Sequence, residues 1–393
     1  MYLEEAKKLQ EEIIENRRTL HSFAELAFDL PKTLAFVTEK LEAMGIHPKK
    51  VGKAGLTFCL GKEGGKVILI RGDMDALPIP EESGLDFRAE NGNCHACGHD
   101  FHTSMLLGAA KLLKAHEQEL EGQVKFMFQP AEEKLAGSLD MIANGILENP
   151  KVDAAFGMHV TVAKDQAKAG EILYREGPLM LSGDALEITV LGEEAHGSVP
   201  YLGVDAIQIA CRIALEVNGI LPRTLPAGEA AVALVGKIQG GNAVNIVAKE
   251  AKMELCLRTE NKESREKLIQ AVKETAERIA ETYGGKAIVD HPYGTPPMVN
   301  NVTLAKNFAR YARDLVGEDH VHEVPREAGS EDFVYVAEQV PTAFFFLGMG
   351  SPEEGHVHPL HHAAVSFEEG KAYVGAALYA QIATRFLGEK EDL

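Results

Sequence analysis

Apolar residues along this chain fall into short uninterrupted runs separated by longer periodic stretches. Val67 to Ile70, Val124 to Phe128, Ala154 to Met158 and Ala343 to Leu347 have the length and composition of buried strands. Each leads into a polar or glycine-rich turn: Arg71-Gly72-Asp73-Met74-Asp75, Gln129-Pro130-Ala131-Glu132-Glu133, His159, and Gly348-Met349-Gly350. Helical periodicity lies between them, as over Thr103 to His116. Strands alternating with helices predict an α/β domain with a largely parallel central sheet flanked by helices. Sites in such sheets form beyond the carboxyl ends of the strands, and the acidic and imidazole residues of these turns fall there.

The middle of the chain reads differently. Ala185 to Leu191 alternates like a strand, Asp205 to Ile220 is helical, and Ala231 to Ile238 and Ala251 to Thr259 are strands. Glu263 to Thr282 is a helix and Lys286 to Asp290 a last strand. That β-α-β-β-α-β order is the ferredoxin-like α+β pattern. It predicts an inserted domain at 183–295, with 1–182 and 296–393 forming the α/β domain around it. Gly177-Pro178 and Pro296-Pro297 mark the seams. An outer strand of the insert would leave an open edge, which suggests pairing with a second copy of the chain as a homodimer, with a tetramer also open.

Composition narrows the classes. At 393 residues the chain exceeds one ordinary core. Its 59 acidic and 40 basic residues leave a net charge of −19, which repels phosphate backbones and anionic membranes, so no nucleic-acid or membrane partner is expected. The five cysteines, Cys59, Cys94, Cys97, Cys211 and Cys256, are scattered and odd in number, as in a reducing compartment. Met1 to Arg18 reads as one charged amphipathic helix. No apolar run has the length of a signal peptide core or a membrane span. A cytoplasmic location is the expectation.

The chemistry concentrates in Cys94-His95-Ala96-Cys97-Gly98-His99-Asp100-Phe101-His102. Thiolate and imidazole are usual ligands of zinc and its first-row neighbours, and Gly98 lets the backbone bend Cys97 and His99 towards one point. The Cys94-Xaa-Xaa-Cys97 spacing also admits a zinc knuckle or a redox pair, but no second CxxC and no thioredoxin-like context accompany it. Glu132-Glu133 on a helix start would ordinarily serve the dipole. Beside a metal, one carboxylate can bind the ion while the other takes a proton from water. His159 and the tail cluster His356, His358, His361 and His362 are further donors, and each has an ordinary structural alternative. Asp73 and Asp75 could cap a turn, or Asp75 could orient a metal-bound histidine. His196, Asn245 and Arg258 in the insert are weak signals by themselves.

Taken together the pieces resemble the M20 metallopeptidase family, closest to its amidohydrolases of N-acyl amino acids, hippurate and indole-acetyl amino acid conjugates. The resemblance runs nearly end to end: Arg17-Arg18-Thr19-Leu20-His21, RGDMDALP (71–78), HACGHDFHT (95–103), FQPAEE (128–133), GMHV (157–160), AHGSVP (195–200), GGNAVNIVA (240–248), GSEDF (329–333) and PLHH (359–362). It implies two divalent ions per subunit, zinc or manganese foremost and cobalt or nickel as alternatives. Cys97 would be shared between them, with His99, Glu133, His159 and His361 as the other ligands; His362 competes for the last place. It implies Glu132 as general base, Asp75 as the orienting carboxylate, and an insert that acts as lid and dimerisation domain. There His196 would steady the oxyanion while Asn245 and Arg258 hold the substrate carboxylate.

The chain departs from the pattern at Cys94, where methionine is common, and at Phe101, Tyr201 and Ala363, which replace glycine, histidine and proline. The implied reaction is hydrolysis of the amide bond of an N-acyl amino acid. A dipeptidase or carboxypeptidase on the same scaffold, and a non-catalytic metal-dependent binding protein, are the alternatives.

Overall fold

The computed structural model describes residues 1–389 and divides the chain into two compact units. The larger comprises 1–179, 299–325 and 332–393; the smaller comprises 180–298 together with 326–331. The short return of 326–331 to the smaller unit is absent from the sequence expectation.

The larger unit is built on an eight-stranded sheet. Its strands run in the order Lys49–Val51, Gly55–Gly61, Gln123–Gln129, Val67–Asp73, Ala154–Thr161, Thr342–Gly348, Ile172–Tyr174, Val321–Glu323. The four from Gln123–Gln129 to Thr342–Gly348 are mutually parallel, and the strand next to them on each side joins antiparallel. Every residue of Val67–Asp73, Ala154–Thr161 and Thr342–Gly348 is buried, so these strands carry almost unbroken apolar sequence. The pairing outlasts the apolar pattern. Ala154–Thr161 continues three residues past Met158, with His159 paired to Phe346. His159 therefore sits within a strand and not just after one.

The helix His99–Ala115 is the buried helix of this unit: fourteen of its seventeen residues are buried. A helix buried on most sides belongs inside a layer, and this one packs against Val67–Asp73 and the helix Ala372–Gly388. Gly98 precedes it at φ 85°, and a Cβ there would lie 2.4 Å from Val160 Cγ2. Only glycine meets both demands, so the turn that delivers His99 depends on it. The opening segment forms two helices, Tyr2–Lys8 and Gln10–Phe23, where one was expected. They break at Leu9, which leaves helical geometry at φ −91°, ψ 1°. Among the described residues no helix is long and apolar enough to cross a membrane. All five cysteines are free.

The smaller unit has an antiparallel four-stranded sheet ordered Lys286–Thr295, Gly183–Leu191, Glu250–Thr259, Ala231–Gly240. Two helices, Ala206–Thr224 and Lys262–Thr282, complete the β-α-β-β-α-β order. Each helix starts where a side chain caps it. Asp205 Oδ1 accepts from the N–H groups of Ile207 and Gln208, and Asn261 Oδ1 accepts from that of Ser264. Glu250–Thr259 alternates outward charge with inward Met253, Leu255 and Leu257, so one face packs under the helices.

Candidate metal centre

Chain reversals at the carboxyl end of the parallel strands carry the donors. Gln123–Gln129 is followed by Pro130 and by Ala131 at φ 51°, which turn the chain into the 3-10 turn Glu132–Lys134. Val67–Asp73 delivers Asp73 and Asp75, both buried. His361 is at φ 65° and is tied by its N–H to the Ala96 carbonyl, 2.9 Å away.

Cys97 Sγ is the common point. His159 Nε2 lies 3.3 Å from it and His361 Nε2 3.2 Å. His361 Nε2 is also 3.4 Å from Glu133 Oε1. Two donor groups result, Cys97 with His99 and His159, and Cys97 with Glu133 and His361; in each the ligand atoms lie within 4.8 Å of one another. A tetrahedral ion with bonds of about 2.0–2.3 Å holds its ligand atoms about 3.3–3.8 Å apart. The separations of 3.2–3.4 Å lie at the short end of that spacing. His362 turns elsewhere: its ring stacks on His358 at 4.2 Å, and its Nδ1 accepts from the Ala364 N–H.

Hydrogen bonds fix which nitrogen each imidazole offers. His159 Nδ1–H donates to the Val160 carbonyl at 2.6 Å, leaving the Nε2 lone pair towards Cys97. Asp75 receives the N–H groups of Glu132 and Glu133 at 3.0 and 3.3 Å, and His99 Nδ1 lies 3.5 Å from its Oδ1. One buried carboxylate thus orients both glutamates and the imidazole. Glu132 and Glu133 each bring an oxygen to 3.9 Å from His99 Nε2.

Charge at this centre is unbalanced without a cation. Burial opposes a charge on His99, yet Asp73, Asp75 and Glu133 outweigh it and raise the pKa to about 10. Burial, then Glu133, Glu132 and Asp73, push the Cys97 thiol far up. Burial, with His102 and His99, holds His159 neutral. Among the described residues, both ring nitrogens of His99 and Glu133 Oε1 are buried without a hydrogen-bond partner. Native interiors rarely leave such atoms unsatisfied. The donor set therefore fits divalent cations in both chemistry and spacing.

Several contributors carry no role in the sequence reading. His102 Nδ1–H donates to Asp73 at 2.5 Å and its Nε2 accepts the Val160 N–H at 2.8 Å, so it braces the strand that bears His159. Its i+3 spacing from His99 puts both rings on one helix face. Arg71, fully buried, lies 2.8 Å from Asp73 Oδ2 and reaches Asp332 and Gln129 behind the centre. Losing one partner of such a buried pair costs about 3–5 kcal/mol.

His196, Asn245 and Arg258 belong to the smaller unit. The Gly197 N–H donates to the Asn245 carbonyl at 2.7 Å, and His196 pairs with Ile246, so the first two sit on adjoining segments. The Ser198 N–H donates to His196 Nδ1 at 3.1 Å. Arg258 lies on Glu250–Thr259 with Nη1 3.4 Å from the Ser182 carbonyl.

Comparison with known proteins places these features in a family. Residues 69–385 match the model for peptidase family M20/M25/M40. The chain is 35% identical over 384 residues to an N-acetylcysteine deacetylase of Bacillus subtilis, covering 96% of this chain and 97% of the relative. It is 33% identical over 380 residues to IAA-amino acid hydrolase ILR1-like 4 of Arabidopsis thaliana, covering 95% and 85%. A solved Bacillus subtilis structure described as a dinuclear metal-binding peptidase from the M20 family superposes with a TM-score of 0.83 at 33% identity, covering 97% and 99%. This chain belongs to the M20/M25/M40 peptidase family and is a metal-dependent hydrolase of amide bonds.

Proposed function

We propose that the chain hydrolyses the amide bond of N-acyl amino acids, with Cys97, His99, Glu133, His159 and His361 holding two divalent cations and Glu132 acting as general base. The observation that carries the reading is the pair of donor groups sharing Cys97, with the Glu132 carboxylate beside them and outside both. Bound there, the cations supply Lewis acidity that acidifies a water and polarises the scissile carbonyl. Zinc or manganese suits the mixed thiolate, imidazole and carboxylate donors, with cobalt or nickel as substitutes. Glu132 takes the proton of the attacking water and returns it to the departing nitrogen. Asp75 keeps Glu132, Glu133 and His99 in register through that transfer.

The smaller unit supplies recognition. A guanidinium suits a free carboxylate by its forked geometry, and Arg258 takes that part together with Asn245, while His196 steadies the developing oxyanion. Metal-reloaded protein should turn over N-acetyl or N-benzoyl amino acids faster than dipeptides. Arg258→Ala should lower kcat/KM for these substrates about 10–150-fold, the worth of one charge-assisted hydrogen bond, and spare those whose carboxylate is amidated. A panel in which only dipeptides react would replace the N-acyl reading with a dipeptidase on the same scaffold. Equal losses for free and amidated acids would remove Arg258 from carboxylate binding.

The same unit supports a homodimer. Ala231–Gly240 pairs with one neighbour only and exposes Val232, Leu234 and Ile238 along an open edge. A second copy aligned on that edge would cover them. Light scattering should give twice the 42.6 kDa chain mass, with Leu234→Lys shifting the population to monomer. A monomeric parent at micromolar concentration would discard the dimer.

A further inference from the structure

A second set of metal-type donors lies in the larger unit, away from the ligands named above. His21, Glu81 and Cys94 bring one ligand atom each within 4.8 Å of one another. They come from three separate places: the helix Gln10–Phe23, the loop after Pro80, and the start of the Cys94–His102 stretch. All three side chains are buried. We infer that His21, Glu81 and Cys94 form a third, structural metal site that takes a zinc-like divalent cation and pins the amino-terminal helix to the loop carrying Cys97 and His99.

Three observations carry the inference. First, His21 is arranged as metal-bound histidines are. Its Nδ1 lies 2.8 Å from Asp100 Oδ2, and Asp100 is itself anchored by Arg17 Nε at 2.7 Å. A carboxylate on Nδ1–H fixes the tautomer that offers Nε2. Second, Nε2 faces both oxygens of Glu81 at 3.0 Å, a hydrogen bond that needs to widen by only about 0.3–0.4 Å for the two groups to share one ion. Third, buried His95 has no hydrogen-bond partner on either ring nitrogen, and its ring lies 6.1 Å from that of His21, centroid to centroid. Two imidazoles on one tetrahedral ion have centroids about 5 Å apart, so a shift of about 1 Å makes His95 the fourth donor. Thiolate, imidazole and carboxylate together are a zinc donor set.

Without the cation, His21 Nε2–H donates to Glu81 and Cys94 keeps its thiol proton; binding would release both to solvent. The experiment must separate the two states. Metal-stripped full-length protein is titrated with zinc and counted by mass spectrometry, then titrated with cobalt and read by absorption. The parent should saturate at three equivalents and Cys94→Ser at two. Cys97→Ser should keep a thiolate-to-cobalt charge-transfer band, and Cys94→Ser combined with Cys97→Ser should lose it. Should Cys94→Ser fail to fold, the Cys97→Ser spectrum and the parent count still decide. A parent that saturates at two equivalents, or a folded Cys97→Ser protein with no thiolate band, overturns the third site and leaves the paired centre standing. A parent count of one that vanishes in Cys94→Ser supports the third site and overturns the pair instead.

Discussion

Glu132→Gln is expected to keep its metal and to lose about 10²–10⁴ in turnover, the span of a general-base loss. The exchange preserves shape and removes only the ability to accept a proton. Glu132 is 6% exposed, and its backbone N–H is held by Asp75, so the amide should take the same position. Glu132 lies outside both Cys97-centred donor groups, although it forms another with His99 and Glu133, so unchanged metal content is the result that marks it as a base and not a ligand. KM should change little, because the lost interaction belongs to the transition state. Parent-like kcat would remove Glu132 from the chemistry. A fall in kcat accompanied by lost metal would make it a ligand.

Cys97→Ser should produce the opposite pairing of effects: the two cations of the paired centre and activity lost together. Cys97 is the one side chain common to the donor groups with His99 and His159 and with Glu133 and His361. Serine offers a neutral hydroxyl where the thiol can offer a thiolate. Removing partners that merely orient a ligand weakens metal affinity about 10–100-fold, so removing a shared ligand should cost at least about 100-fold. The pH dependence has a definite sign. Cys97 is pushed up, first by burial and then by Glu133, Glu132 and Asp73, and His99 is held at about 10 despite its burial. Both carry a proton in the cation-free chain at neutral pH. Cation binding must displace these protons, so affinity should rise with pH. Competition with a chelator at two pH values measures both effects, and parent-like affinity in Cys97→Ser would exclude Cys97 as a ligand.

The parallel strands were legible because burial on both faces leaves unbroken apolar sequence, as in Val67–Asp73. The short strands at or next to the sheet edges, Lys49–Val51, Ile172–Tyr174 and Val321–Glu323, were not. Three residues at a sheet margin are too few to set up an alternation. His159 and Thr161 extend a strand that hydrophobicity ends at Met158, because backbone pairing does not require apolar side chains. In the smaller unit, alternation in Glu250–Thr259 and the capping residues Asp205 and Asn261 state the element order almost directly.

The candidate donors Cys97, His99 and Glu133 stood out by residue type and local spacing. Their supports did not. Arg71 meets Asp332, 261 positions away, and His21 meets Asp100 across 79. Such pairs depend on how the sheet folds, and no local pattern encodes them. The motif Gly329-Ser330-Glu331-Asp332-Phe333 stood in the sequence without a role until Asp332 proved to close the buried network around Arg71 and Gln129.

The central claim is best tested by anomalous diffraction at the zinc edge from crystals of the zinc-loaded chain. Besides any peak at His21, Glu81 and Cys94, two separate peaks are predicted within bonding distance of Cys97 Sγ, one contacting His99 and His159 and the other Glu133 and His361. A single peak at that sulfur, or none, would contradict the account.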